Sequence, residues 1–237
     1  MKLSIIIPTL NEAELLPVLL ASIRNQDFAD LEVIVADAGS TDGTTEIARQ
    51  YGCRVAGGGM PSVGRNSGAL AARGDYLLFL DSDVVLPSGF LKKFIAAFEN
   101  KQLDAATCAL IPLSDKVIDV ILHGVVNAYI KAMEKIYPHA PGSCILIKKS
   151  LHQKIGGFNE KLKLAEDHEY IKRAQKLGDY RVLKEIKLFV SVRRLEADGR
   201  INVSGKYLLC EFYRLLMGEI ETDIFKYKFG HYNKKRK

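Results

Sequence analysis

Along its first half the chain alternates between short, continuous apolar runs and longer stretches with helical spacing. "LSIIIP" (3–8), "EVIVADA" (32–38), "CRVA" (53–56), "DYLLFL" (75–80) and "AATCALIPL" (105–113) read as strands, apolar or β-branched and too short for helices. Between them, 11–26 has apolar residues near helical spacing, with Pro17 predicting a late start or a kink. In 40–52 capping residues open a short helix and Gly52 closes it. Residues 62–74 form an Ala-rich helix closed by Gly74, after a "GGGMP" loop (57–61), and 88–100 is the helix after the fourth strand.

This order predicts an α/β fold with a mostly parallel, twisted sheet flanked by helices. Continuous apolar strands agree, because a parallel sheet is covered on both faces. Right-handed crossovers put every strand's C-terminal end on one edge, where ligands of open α/β sheets bind. Pro8–Asn11, Asp37 and Asp81–Asp83 each follow a strand and are expected to converge there.

The second half is less regular. Residues 115–136 read as an amphipathic helix, and 144–149 as a strand followed by a short helical turn and a "GGF" bend (156–158). A helix over 165–178 has acids in its first turn and a Gly stop, and 180–192 supplies one or two strands. The helix over 206–220 carries an apolar stripe that either packs on the body or lies on a membrane. No internal repeat or Pro/Ser-rich linker divides the chain. One domain over 1–220 is expected, with halves 1–103 and 104–220, and a basic tail over 221–237.

Charge changes this picture only at the C-terminus. Of the net +6, residues 226–237 ("KYKFGHYNKKRK") contribute five Lys and one Arg with no acid, and the rest balances at 28 basic and 28 acidic residues. Such a cluster, interleaved with Tyr227, Phe229 and Tyr232, suits an anionic membrane surface or nucleic acid, or is a solvated terminus. The balanced body weakens the nucleic-acid reading, and none is expected as a partner. Cys53, Cys108, Cys144 and Cys210 are scattered without metal-ligand spacing and are expected as buried thiols in a reducing compartment. No stretch reaches the ~18 apolar residues of a spanning helix, and Met1 leads into a strand rather than a signal sequence. The expectation is a cytoplasmic protein, soluble or peripheral on the cytoplasmic face of the membrane.

The candidate chemistry sits behind the strands. In "LLFLDSDVVLP" (77–87) four apolar residues precede Asp81 and Asp83, which a strand ending between them can turn to one site. Mg²⁺ or Mn²⁺ takes oxygen ligands, commonly one or two carboxylates completed by substrate phosphates. The alternative is an Asp cap for the helix near Ser88. Asp37 either forms a turn or accepts from a base NH or ribose hydroxyl, whereas Asp42 in "STDG" reads as structural. Arg65, near a helix start, suits a phosphate or a surface salt bridge. Glu166, Asp167 and Glu169 are explained by the helix dipole alone, or one of them is a general base for an acceptor hydroxyl. His168 reads as a surface or half-buried histidine rather than a ligand.

Taken in order, "SIIIPTLNEAELLPVLLASI", "EVIVADAGSTDGT", "GRNSGALAARGDYLLFLDSDVVLP" and "GSCILIKKSLHQKIGGFNEKLKLAEDHEYIKRAQKLG" resemble the family-2 glycosyltransferases of GT-A fold, over roughly residues 3–178. The resemblance implies a Rossmann-like nucleotide-binding half, an acceptor-binding half, and a UDP-, GDP- or dTDP-linked sugar as donor. Pro8, Thr9, Asn11 and Glu12 match the family's first nucleotide-binding loop. Asp37 matches its base-contacting aspartate, although the second acid often found there is Ala38. Asp83 and Asp81 match the metal motif for Mn²⁺ or Mg²⁺, Asp83 as direct ligand and Asp81 nearer the ribose. Arg65 matches a donor-side basic position, and Arg193 and Arg194 of "SVRR" a basic patch near the diphosphate. Asp167 matches the second acid of the "ED" pair, the usual catalytic base, with Glu166 beside it. No QxxRW stretch is present, which argues against a processive synthase. The reaction implied is a metal-dependent inverting transfer to a hydroxyl acceptor; the 115–136 and 206–220 helices with the basic tail favour a lipid-linked or membrane-presented one, such as a cell-envelope glycan.

Two rivals differ in kind. A sugar-1-phosphate nucleotidyltransferase calls for a Gly/Arg-rich phosphate loop after the first strand, where "PTLNEAE" is acidic and lacks Gly. A non-catalytic nucleotide-sugar-binding or scaffold protein shares the fold but has no need of Asp81, Asp83 and Asp167 together.

Overall fold

The computed structural model describes residues 2–222. Among these residues eight strands form one sheet in the order β3-β2-β1-β4-β7-β6-β8-β5. They are β1 (Leu3–Thr9), β2 (Leu31–Asp37), β3 (Arg54–Gly57), β4 (Tyr76–Leu80), β5 (Val84–Val85), β6 (Ala105–Leu113), β7 (Cys144–Lys148) and β8 (Tyr180–Ser191). The helices are α1 (Leu16–Arg24), α2 (Thr44–Gln50), α3 (Pro61–Ala71), α4 (Phe90–Asn100), α5 (Val117–Met133), α6 (Lys149–Lys154), α7 (Glu166–Gln175), α8 (Arg193–Ala197) and α9 (Arg200–Met217).

Strand side chains alternate between two apolar layers, which is why the runs are continuous in sequence. Ile5, Ile7, Leu78 and Leu80 join α1 and α4 in one layer. Ile6, Leu77 and Phe79 join α3 and α7 in the other. As Pro17 predicts, α1 starts late, with proline in its first turn. Gly52, at φ 77°, follows α2 in the left-handed conformation that ends a helix.

Several expectations are corrected. Four strand pairings are parallel, but β7 runs antiparallel to both β4 and β6, and β5 antiparallel to β8. Strand ends therefore do not all face one way: β7 enters, rather than leaves, at the edge where β4 ends, pairing Cys144 with Leu80. α3 stops at Ala71, and Gly74 is not its cap. A Cβ there would lie 2.6 Å from the Ser4 amide nitrogen, so glycine lets the chain cross β1. α7 likewise stops before Gly178, and α9 begins at Arg200, ahead of its expected start. The 180–192 segment is one strand, with a register shift where Cys108 pairs with Leu183 and Ala109 with Lys187. Cys108, Cys144 and Cys210 are buried free thiols, but Cys53 is only half-buried. From residue 223 onward the basic tail lies outside the described residues.

The second layer holds a titratable group. His152 is buried beside Phe79, Phe158 and Tyr170, with Nδ1 2.7 Å from the Tyr170 hydroxyl. Burial, then the charges of Arg173 and Lys149, push its pKa down to about 4. An unfolded histidine titrates near 6.5, so between these values the unfolded chain binds more protons and stability rises with pH. As pH falls from 6.5 towards 4, His152 is expected to withdraw up to roughly 3 kcal/mol of stability. Melting temperatures over pH 4.5–7 check this: the slope should flatten in His152→Asn, and an unchanged slope assigns it to other groups.

Candidate active site

The ends of β1 and β2 are tied to each other before anything else touches them. Thr9 and Asp37 are register partners, and the Thr9 hydroxyl donates to Asp37 Oδ1 at 3.0 Å. Asp37 also accepts from the Gly39 and Ser40 amides at 3.0 and 2.8 Å and from the Ser40 hydroxyl at 2.5 Å. It is thus the turn-former the sequence allowed, held half-buried at the sheet edge. Asn11 adopts φ 55°, donates its amide to Ser40 Oγ, and accepts from the Thr41 amide. Asp42 caps the Thr44 amide and takes the Ala13 amide, as its structural reading requires. Pro8 packs on α3, where a Cβ on Gly64 would come within 3.1 Å of the proline's own.

Asp81 and Asp83 follow β4 and separate into two arginine-centred clusters. Arg65, from α3, is buried at 3% exposure. It donates through Nη1 to Glu166 at 2.7 Å and through Nη2 to Asp81 at 3.0 Å. Its Nε is buried without a hydrogen-bond partner among the described residues. Arg193 forms the second cluster, donating two bonds to Glu12 at 2.8 and 2.6 Å and a third to Asp83 at 3.0 Å. The short β5 explains this meeting. Its pairing with the end of β8 sets the Ser191 amide 3.0 Å from the Asp83 carbonyl and carries the following Arg193 over the site. Arg194 turns to α9, donating to the Tyr207 hydroxyl at 2.7 Å.

Asp167 arrives from the opposite side, in the first turn of α7. Its Oδ2 accepts from the Gly142 amide at 2.6 Å and its Oδ1 from the His168 amide at 2.9 Å. Gly142 lies in the turn that opens β7. A Cβ there would fall 2.6 Å from Arg65 Nη2 and 3.1 Å from Asp167 Oδ2, so no larger residue fits between these groups. Ala165, immediately before α7, has φ 59°, a conformation costly for a non-glycine residue that persists where surroundings impose it. His168 is half-buried, with Nδ1 2.9 Å from Glu211 on α9 and 2.9 Å from Arg214 Nη1. His139, His168 and Glu211 bring three metal-capable groups within 4.8 Å of one another, but the Arg214 guanidinium already supplies a cation there.

Burial sets the charges. It raises the carboxyl pKa of Glu12, Asp83 and Glu166 above the ordinary range, against the lowering pull of Arg193 on the first two and Arg65 on the third. Asp81 raises Asp83 further and Asp167 raises Glu166, as like charges do. Burial pulls His168 down, yet Asp167 and Glu211 outweigh it and leave the imidazole raised.

All three sequence-singled loops therefore meet at one edge, joined by α7 and the β8–α8 turn. Arg65 is neither a surface salt bridge nor close to the start of its helix: it is a buried clasp between the Asp81 and Glu166 segments. Glu12 has both oxygens committed to Arg193. The cap alternative for Asp81 and Asp83 is not what is seen, since α4 begins after Gly89 with no side-chain cap. Gly142 and Glu211 escaped sequence reasoning. The "PGS" turn before β7 was a signal for the former, and nothing local marks the latter.

Comparison with known proteins places this edge in context. Over 99 residues the chain is 38% identical to the GalNAc(5)-diNAcBac-PP-undecaprenol beta-1,3-glucosyltransferase of Campylobacter jejuni, covering 38% of this chain and 32% of that one. The chain spans about a third of the length of the curated relatives it matches. Among solved structures, Staphylococcus aureus TarS 1-349 in complex with UDP-GlcNAc superposes with a TM-score of 0.68 at 23% identity, over 91% of this chain and 73% of that one. A mannosyltransferase from Pyrobaculum calidifontis in complex with GDP-Man and Mn²⁺ gives 0.66 at 22%, over 88% and 64%. These likenesses establish the GT-A fold. The family model described as glycosyl transferase family 2 matches residues 4–156, and the chain belongs to that family.

Proposed function

We propose that the chain transfers a sugar from a nucleotide-diphosphate donor to an acceptor hydroxyl in one inverting displacement. The observation that carries this is the convergence of Asp81 and Asp83, from the loop after β4, with Asp167, from the start of α7, on one edge through Arg65, Arg193 and Gly142. The acceptor oxygen bonds to the anomeric carbon as the carbon's bond to the diphosphate oxygen breaks. Asp167 takes the hydroxyl proton and the nucleoside diphosphate leaves with the electron pair. Glu166 is the weaker candidate for base, being buried and already bonded to Arg65. The loops at 8–12 and 37–44 are the donor's nucleotide side, with Asp37 shaping them.

The donor set fits a hard divalent cation. Arg65 engages Asp81 through Oδ1 and Arg193 engages Asp83 through Oδ2, so each carboxylate has a second oxygen for a metal. A half-buried carboxyl raised above its ordinary range, like Asp83, is one a cation stabilises. When bound, Mn²⁺ or Mg²⁺ offsets the negative charge of the leaving diphosphate. Support for a nucleotide-sugar donor comes from structural neighbours solved with UDP-GlcNAc and with GDP-Man and Mn²⁺. Support for a lipid-linked or envelope acceptor comes from relatives named for undecaprenol-linked and poly(ribitol-phosphate) substrates.

A thermal-shift screen of UDP-, GDP- and dTDP-sugars with Mn²⁺ or chelator tests the reading. One nucleotide class should stabilise the protein only with metal, and Asp83→Asn should abolish that shift. No shift with any donor, from folded protein, would favour a non-catalytic role.

A further inference from the structure

Two helices beyond the site turn apolar faces away from the body. α9 meets the body through Val203, Cys210 and Arg214, which settles the direction of the stripe that sequence left open. On its opposite side Leu208, Leu209, Phe212, Leu215 and Leu216 are exposed, Leu208 at 72% and Phe212 at 62%. At about 100° per residue these five fall within roughly a third of the helix circumference, and no charged residue of α9 shares that arc. α5 repeats the arrangement: Ile118, Ile121, Val125 and Tyr129 are exposed on one arc, and Asp119 and Ile130 are turned inward.

The two helices are linked at two levels, met in the same order along each. Near their starts, Arg200 closes two hydrogen bonds on Asp119, at 2.6 and 2.7 Å. Some ten residues on, they meet again at His139, whose ring is 5.2 Å from that of Tyr129 and whose Nε2 is 2.8 Å from Glu211. Every acid of the pair is turned inward and paired: Asp119 with Arg200, Glu134 with Lys131, and Glu211 with His139 and His168. At the rim Lys135 is exposed, while Lys116 lies 3.8 Å from Glu196 and Lys131 is the partner of Glu134 already named. After α9, beyond Glu219, Glu221 and Asp223, the sequence becomes the acid-free 226–237 stretch, with six cations.

From this we infer that the outer faces of α5 and α9 form a docking surface for an anionic lipid bilayer. An apolar face without charge, bordered by the exposed Lys135 and followed in sequence by an acid-free cationic stretch, matches the lipid interface in both its layers. A second copy of the chain would also cover apolar surface, but pairing like faces would bring two sets of cations together. No helix among the described residues is long and apolar enough to cross a membrane, so the contact lies on the surface. The inference goes beyond the transfer reaction, and its test needs neither donor nor acceptor.

The full chain is floated with vesicles of phosphatidylglycerol and phosphatidylcholine, or of phosphatidylcholine alone, at low and high salt. Binding is expected to the anionic vesicles and to weaken with salt. The double variant Leu208→Glu/Phe212→Glu should weaken it by about tenfold or more without moving the melting temperature, since both side chains are exposed. Ile121→Glu/Val125→Glu is the independent check on α5. Absence of binding to anionic vesicles at low salt overturns the inference, and so does undiminished binding in both double variants. Dimers that these substitutions dissociate, without vesicle binding by the parent protein, assign the face to self-association instead.

Discussion

Asp167→Asn is expected to lower turnover by about 10²–10⁴-fold while leaving donor affinity close to that of the parent, the size typical of removing a positioned base. Asparagine keeps the shape and one accepting oxygen. It therefore retains the amide bond of either Gly142 or His168 but not both, and a small loss of stability on the order of 1 kcal/mol accompanies the substitution. Glu166→Gln separates the roles of the pair. Glu166 holds Arg65 rather than facing an acceptor, so this change should act through stability and donor binding more than through the chemical step. Initial rates of nucleoside diphosphate release, with donor affinity by calorimetry, distinguish the two. Turnover unaffected by Asp167→Asn would remove Asp167 from the reaction.

The second large effect concerns Arg65. Its guanidinium is the partner of a buried glutamate, and breaking such a pair from one side costs about 3–5 kcal/mol. Arg65→Met fills much of the volume but leaves Glu166 unpaired. Burial already holds the Glu166 carboxyl above its ordinary range, and without Arg65 it rises further. The native variant then binds a proton more readily than the unfolded chain, so its stability rises as pH falls. Urea unfolding at pH 7.5 and pH 5 should show the deficit shrinking at the lower pH, and Glu166→Gln in the same background should recover part of it. Equal deficits at both pH values would place the cost in lost packing instead.

Much of this architecture is legible in the chain because the strands are local statements. Runs such as Leu3–Pro8 and Tyr76–Leu80 declare themselves by composition, and the acids that follow them inherit their position from the crossover rule. What is not legible is everything decided by pairing across distance. Nothing near Cys144 says that β7 runs against its neighbours, yet that reversal delivers Gly142 to Arg65 and Asp167. A two-residue strand such as β5 carries no periodicity, although it brings Arg193 to Asp83. Arg65 illustrates the same gap. Its sequence context suits a phosphate, and only the fold shows two carboxylates already there.

The insertion of β7 also bears on how the chain is made. Until Cys144–Lys148 has been synthesised, β4 has a partner only on its β1 side, and its other edge, Leu77–Leu80, is an open row of backbone groups on wholly apolar residues. Roughly sixty residues separate β4 from β7, which at about 5–20 residues per second is several seconds of translation. During that interval the nascent N-terminal half carries its own aggregation hazard, and the ribosome relieves it only by delivering a strand from the other half. The family-matched stretch ends at residue 156, just beyond β7 and α6, and so already includes the strand that gives β4 its second neighbour.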